Sequence, residues 1–250
     1  DKKHSIRARI YEGIDKGLFI KISKGVYKMV DKEDNSVLLV QGDGRDLSML
    51  KDNSIDCIIT DHLYSDKKSN KGGNRAFAEY NTFNYTEKDF AEKFRVLKDG
   101  AFLVEFFAEE NSNNFDYIYS CKKLAQKVGF QYYSTVNWKK GKFVSNTGRK
   151  AKNHEQIVFF TKSEARSLKL DAKKNLAEAK AQQIDTKGLT SQDVAKKLTE
   201  IGATVHYMKG TNKMLPTVFD VEKTPKKEQI HQAEKPVELF EQLLEYITLP

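Results

Sequence analysis

Short, continuous apolar runs limit what this chain can fold into more than any other feature. Val37–Val40, Ser54–Thr60 (SIDCIIT) and Ala101–Phe107 (AFLVEFF) each read as a buried strand. Tyr132–Trp138 and Gln156–Thr161 (QIVFFT) read as two further strands. Segments of helical period lie between them. Thr86 caps a helix with Phe90, Phe94 and Leu97 on its apolar side, ended by Asp99-Gly100. Asn114–Val128 is a second amphipathic helix, stopped by Gly129, and Leu47, Met49 and Leu50 predict a short third one. Buried strands interleaved with helices predict an α/β fold with a parallel sheet covered on both faces.

Three segments stand apart from that alternation. In residues 1–32, Ser5, Ile6, Ile10 and Ile14 mark a basic helix ending at Gly17. A hairpin follows, with strands Leu18–Ile22 and Val26–Met29 around a Ser23-Lys24-Gly25 turn. Residues 33–163 carry the predicted sheet. Residues 164–230 turn rich in Lys, Ala and Gln and read as a helical insertion, within which 190–208 bears a weak likeness to a helix-turn-helix. Residues 231–250 end in a helix with Pro236 in its first turn and Leu239, Leu243, Leu244 and Ile247 on its buried face.

Composition narrows the function. Lys and Arg outnumber Asp and Glu by 43 to 35, a formal net charge of +8, which predicts a polyanionic partner and most simply nucleic acid. No apolar run approaches the ~18 residues of a membrane span. Cys57 and Cys121 have neither metal-binding nor redox spacing, which fits a reducing, intracellular compartment, and the five histidines show no paired metal spacing. There is no phosphate-binding Gly-Lys loop and no serine nucleophile elbow. The stretch 139–152 holds Lys139, Lys140, Lys142, Arg149, Lys150 and Lys152 with no acid, among Gly, Ser, Asn and Thr. A basic loop beside a strand end suits a phosphate clamp.

Three pieces in order carry the chemistry. They are strand SIDCIIT running into Asp61-His62-Leu63-Tyr64, then Trp138-Lys139 with Asn153-His154-Glu155 and strand QIVFFTK, then His231-Gln232-Ala233-Glu234-Lys235-Pro236. This set resembles the amino-group DNA methyltransferases of the circularly permuted beta class, over roughly residues 37–250. The resemblance implies a Rossmann-like doubly wound sheet, S-adenosylmethionine as cofactor and double-stranded DNA as partner. It implies that the target base is flipped out of the duplex. Asp61 and the backbone carbonyl of His62 would accept the amine hydrogens, and Tyr64 would stack on the base, a contact worth about 1–3 kcal/mol. Asp43, Asp61, His231, Lys235 and Pro236 would line the cofactor. The Asp-led tetrapeptide favours the N6 amine of adenine over the N4 amine of cytosine. The N-terminal helix and hairpin resemble the last helix and wing of a winged-helix module, in which Arg7, Arg9, Lys21, Lys24 and Lys28 would meet DNA. Residues 164–230 would read the target sequence.

Two departures from the family matter. His62-Leu63 stands where the family has Pro-Pro; losing proline's fixed φ costs about 0.5–1 kcal/mol per residue, which predicts weakened catalysis rather than none. No Phe-x-Gly-x-Gly segment, which holds the cofactor's methionine end in the family, occurs in the sequence. The sheet is therefore expected to be incomplete at its C-terminal side. That leaves a truncated chain, a methylase-like protein that only binds DNA, and a split enzyme completed by a second copy or another chain as alternatives.

Overall fold

The computed structural model describes residues 14–16, 19–23, 25–29, 37–62, 83–141, 153–208, 214–225, 227–229 and 234–248. They form two sheets. The smaller is antiparallel, with β1 (Phe19–Ser23), β2 (Val26–Met29) and β3 (Leu38–Val40) side by side. β1 and β2 are the hairpin the N-terminal pattern predicts. Gly25 turns it at φ +79, where a Cβ would stand 3.1 Å from the Gln41 carbonyl oxygen. The helix predicted before it lies outside the described residues except at 14–16.

β3 corrects the prediction of a fifth strand in the main sheet. It pairs with β2 instead, Val40 opposite Val26 and Leu38 opposite Lys28, and both Leu38 and Val40 are exposed. A short apolar run establishes extended backbone but not a partner, and here the free edge of the adjacent hairpin completes its ladder.

The main sheet runs β4-β5-β7-β6-β8, from β4 (Ile55–Thr60), β5 (Leu97–Ala108), β6 (Phe130–Lys139), β7 (His154–Lys162) and β8 (Val218–Asp220). β4 with β5 and β6 with β8 are parallel, while β7 is antiparallel to both its neighbours. The sheet is thus mixed, not parallel. β6 and β7 are consecutive strands in the sequence and pair antiparallel, from Phe130 opposite Lys162 to Lys139 opposite His154. β8 comes from the stretch predicted to be a helical insertion. Its Phe219 sits opposite Trp138, whose indole N–H donates to the Val221 carbonyl at 2.8 Å.

Period-two alternation builds the layers. Leu103, Glu105 and Phe107 of β5 and Val158 and Phe160 of β7 face α1 (Glu87–Val96) and α2 (Phe115–Val128). Phe102, Val104 and Phe106 with Ile157 and Phe159 face α5 (Val237–Ile247) through Leu239, Leu243 and Ile247. Both faces of the sheet are therefore covered. The Asp89 carboxylate accepts from the backbone N–H and hydroxyl of Thr86, which secures the start of α1. That helix ends before Leu97, earlier than predicted, because Leu97 is already extended at ψ 140. Gly100 is instead a bend inside β5, at φ +74, where a Cβ would lie 2.9 Å from the Arg166 backbone nitrogen.

Residues 47–50 form a hydrogen-bonded turn rather than the predicted helix. The Leu47 carbonyl accepts from the Leu50 N–H, and the Arg95 guanidinium donates to the Leu47 and Leu50 carbonyls, which pins this single turn against α1. The insertion holds α3 (Ala172–Ala181) and α4 (Ser191–Glu200), packed on a small core of Ala179, Val194 and Leu198. After α4 the chain is non-helical up to an isolated bridge between Tyr207 and Leu170, so the second helix of a helix-turn-helix does not form. Among the described residues no helix is long and apolar enough to cross a membrane.

Candidate active site

Asp61 follows the last residue of β4 at the carboxyl end of the strand, the end where open α/β sheets place ligands. Its side chain is 37% exposed, and the ammonium of Lys235 binds one of its oxygens. Lys235 reaches it because Pro236, at φ −64 and ψ 141, holds the chain extended just before α5. The same ammonium stands 3.3 Å from a Glu155 oxygen, and Lys140 binds the other oxygen of Glu155. Aromatic faces lie beneath. The Lys235 nitrogen is 4.8 Å from the centre of the Phe106 ring, and that of Lys140 is 5.3 Å from the centre of the Trp138 ring.

The two carboxylates of this cluster are driven apart. Burial pushes the Asp61 carboxyl above its ordinary range against the pull of Lys235. Burial acts on Glu155 in the same sense, but Lys235 and Lys140 together outweigh it and hold that group low. Glu155 is therefore the fixed anion, and Asp61 the more basic and more open acceptor. Burial lowers the Lys223 ammonium, and Lys140 and Lys235 nearby add to this.

His62 turns the other way, into the interior. Its ring lies 4.1 Å from that of Tyr85, 5.5 Å from Phe107 in an edge contact and 5.7 Å from Tyr117, and its Nε2 is 2.5 Å from the Tyr117 hydroxyl. Beside it is a buried ionic network. The Glu105 carboxylate is fully enclosed, pairs with Lys93 and accepts from the Tyr85 hydroxyl at 3.1 Å. Lys93 sits 3.7 Å above the Tyr85 ring. Burial pushes the Glu105 carboxyl up, and burial with the charge of Lys93 holds the His62 imidazole down to about 3. His62 is thus neutral at any ordinary pH.

The Asp43 turn approaches through one aromatic ring. The Asp43 carboxylate is clasped by Arg45, at 2.9 Å to Nε and 2.6 Å to Nη2, and these hydrogen bonds hold it down to about 2. The Arg45 guanidinium lies 4.3 Å from the centre of the Phe83 ring, which in turn contacts His62 and Tyr85.

The structure therefore brings together Asp61, His62, Lys235 and Pro236, with Asp43 nearby. Tyr64, His231, Lys142, Arg149, Lys150, Lys152, Arg7, Arg9 and Lys24 lie outside the described residues. Lys21 and Lys28 are exposed. Two members of the basic run have acidic partners from beyond it: Lys139 pairs with Asp220 at 2.5 Å, and Lys140 with Glu155 inside the site. The run is free of acid in sequence, but strand pairing carries acid to it from β7 and β8. Glu155, Lys223, Tyr85, Lys93, Glu105 and Tyr117 are additions that sequence reasoning did not assign. A signal existed for Glu105, a lone carboxylate in the middle of an apolar strand. Glu155 stands in the second motif segment, where it had no assigned role, and none of the others stands out in sequence. Among the described residues no group of His, Cys, Asp and Glu could hold a metal ion.

No curated protein matches the chain. Solved structures that resemble it at low identity include the following three. The PvuII cytosine-N4-specific DNA methyltransferase is 15% identical with a TM-score of 0.48, over 84% of this chain and 70% of that one. TTHA0409 of Thermus thermophilus, described as a DNA modification methylase, is 15% identical with a TM-score of 0.44, over 82% and 72%. The complex of M1.HpyAVI with S-adenosylmethionine is 14% identical with a TM-score of 0.43, over 81% and 69%. Assignment rests instead on the family model described as DNA methylase, for the N6/N4 group, which matches residues 55–250 and so spans Asp61, the ionic cluster and α5. By that match, over more than half its length, the chain belongs to the N6/N4 DNA methylase family.

Proposed function

We propose that this DNA methylase moves a methyl group from S-adenosylmethionine to the N6 amine of an adenine flipped out of duplex DNA. Asp61 is the observation that carries the reading. It is a carboxylate at a strand's carboxyl end, largely enclosed yet partly open to solvent, with an ammonium partner that favours its ionised form. An exocyclic amine taken out of its base pair needs such an acceptor in place of the one it left. The His62 side chain is buried, so its backbone carbonyl is what that residue offers as the second acceptor. Drawing both amine hydrogens toward the protein leaves the nitrogen lone pair free, and no covalent nucleophile is needed. Tyr64 stacks on the base. Lys235 yields the Asp61 oxygen as the amine arrives and keeps Glu155 as its counter-ion.

The donor set fits S-adenosylmethionine. Asp43 is exposed and ionised at any ordinary pH, an acceptor suited to the hydroxyls of adenosine. Asp43, His231, Lys235 and Pro236 would hold the group, which when bound supplies an electrophilic methyl. For DNA, Lys142, Arg149, Lys150 and Lys152, with Arg7, Arg9 and Lys24 of the winged-helix-like residues 1–32, supply phosphate contacts. Residues 33–163 and 231–250 form the catalytic unit, and residues within 164–230 read the sequence. Binding should fall steeply with salt as counterions are released.

The test is to incubate unmethylated genomic DNA with the chain and S-adenosylmethionine, digest it to nucleosides and identify the methylated base by mass spectrometry. N6-methyladenine is expected, and its loss in Asp61→Ala with DNA binding retained. N4-methylcytosine alone would replace the adenine assignment. No methylated base with DNA binding intact would leave a methylase-like protein that only binds DNA, the reading that His62-Leu63 in place of Pro-Pro favours.

A further inference from the structure

We propose that His62 and Tyr117 form a side-chain clamp that fixes the Asp61 turn in place of the prolines the family uses there, which makes Tyr117 a positioning residue for methyl transfer. The inference rests on the catalytic role of Asp61 proposed above.

The problem it solves is geometric. Asp61 and the carbonyl of residue 62 must both aim at one amine, so the backbone between them has to be stiff. A proline supplies stiffness through a fixed φ, and histidine does not. Here the stiffness comes from outside the backbone. The His62 ring is held on several sides, by Tyr85 at 4.1 Å, by the edge contact with Phe107 at 5.5 Å and by the Tyr117 hydroxyl at 2.5 Å from Nε2. Each partner is itself held. Tyr85 is fixed by Glu105 and Lys93 and donates its backbone N–H to the Tyr117 oxygen at 3.3 Å. Tyr117 stands in the first turn of α2, which packs on the sheet through Ile118 and Cys121. The neutral His62 ring shares one hydrogen bond between its Nε2 and the Tyr117 hydroxyl, with the direction set by the tautomer. With the side chain so held, residue 62 cannot rotate without breaking this contact and leaving a buried imidazole unsatisfied, a penalty proline never meets.

The clamp makes a coupling prediction that general stability does not. Tyr117→Phe keeps the ring and removes one hydroxyl. Turnover should fall about three- to tenfold, as expected for one hydrogen bond to a buried group. The KM for S-adenosylmethionine should hardly change, and the melting temperature should fall by only a few degrees. Deuterium uptake by a peptide spanning Ile58–His62 should quicken by a similar factor, with peptides from β7 unaffected. In a His62→Pro background the ring that Tyr117 holds is gone, so adding Tyr117→Phe should change both turnover and uptake less than twofold. Equal losses from Tyr117→Phe in the two backgrounds would overturn the clamp, as would wild-type turnover and uptake in Tyr117→Phe itself. If the wild-type chain methylates no DNA, the functional reading fails, and the uptake measurement decides the clamp alone.

Discussion

Replacing Lys235 by methionine keeps the stem of the side chain over Phe106 and removes only its charge. The ammonium binds Asp61 and lies 3.3 Å from Glu155, so both carboxylates lose a counter-ion, but Glu155 retains Lys140. Unit charges about 4 Å apart attract by about 4 kcal/mol at an effective dielectric near 20. Asp61 is 37% exposed, and water screens a large part of that attraction. About 2 kcal/mol survives, or about 1.5 pH units on the Asp61 carboxyl. The sign follows from which form Lys235 favours. It stabilises the carboxylate, so its loss raises a pKa that burial already holds above 3.8. The ionised acceptor exists above that pKa and is lost as pH falls through it. The acid limb of the pH–rate profile for methyl incorporation should therefore move up by about 1.5 units in Lys235→Met. Stability should respond in the same window. A carboxyl that binds its proton more tightly folded than unfolded makes the native state less stable as pH rises, so the variant should lose more stability at neutral pH than near pH 4. An acid limb within about 0.3 units of wild type, in a folded variant, would refute the claim that Lys235 sets the charge of Asp61.

His62 predicts an acid weakness of the opposite sign. Its imidazole sits at about 3 in the fold against 6.5 unfolded, so the native state binds fewer protons. The stability that depends on a neutral His62 is complete above about pH 6.5 and is lost as pH falls toward 3, up to about 4–5 kcal/mol. Urea unfolding of His62→Asn should show a flatter decline over that window than wild type, and an identical slope would count against it. Lys93→Met leaves the fully buried Glu105 without its cation and should cost about 3–5 kcal/mol by the same assay. Adding Glu105→Leu should recover most of that loss. A cost below about 1 kcal/mol for the single variant would mean that Glu105 is already neutral in the fold.

Much of the secondary structure is legible because it is local. α2 begins at Phe115 after Asn114 and ends before Gly129, as the amphipathic period and the glycine require. The apolar runs predicted at 54–60, 101–107 and 156–161 become β4, β5 and β7, and the predicted last helix forms as α5, with Pro236 as the extended residue just before it rather than in its first turn. Those outcomes depend on propensities and caps acting over a few residues. Asp61 was legible in another way, as a carboxylate directly after a buried strand within an ordered set of motifs.

What the sequence by itself determined was most of the strands and helices, though not β8 or the turn at 47–50, and which acid stands at a strand end. The tertiary structure alone decided who meets whom. β3 joined the hairpin and β8 joined the sheet, because a three-residue strand carries no address and pairs with whatever edge is open. Lys140 lost its place among free cations because β7 carries Glu155 back beside it, and Lys235 found Asp61 across most of the chain. The inward turn of His62 onto Tyr85, Phe107 and Tyr117 was invisible for the same reason. A side chain's charge state and rigidity depend on the burial and the distant partners that the sheet assembles around it, and those are set only once the layers close.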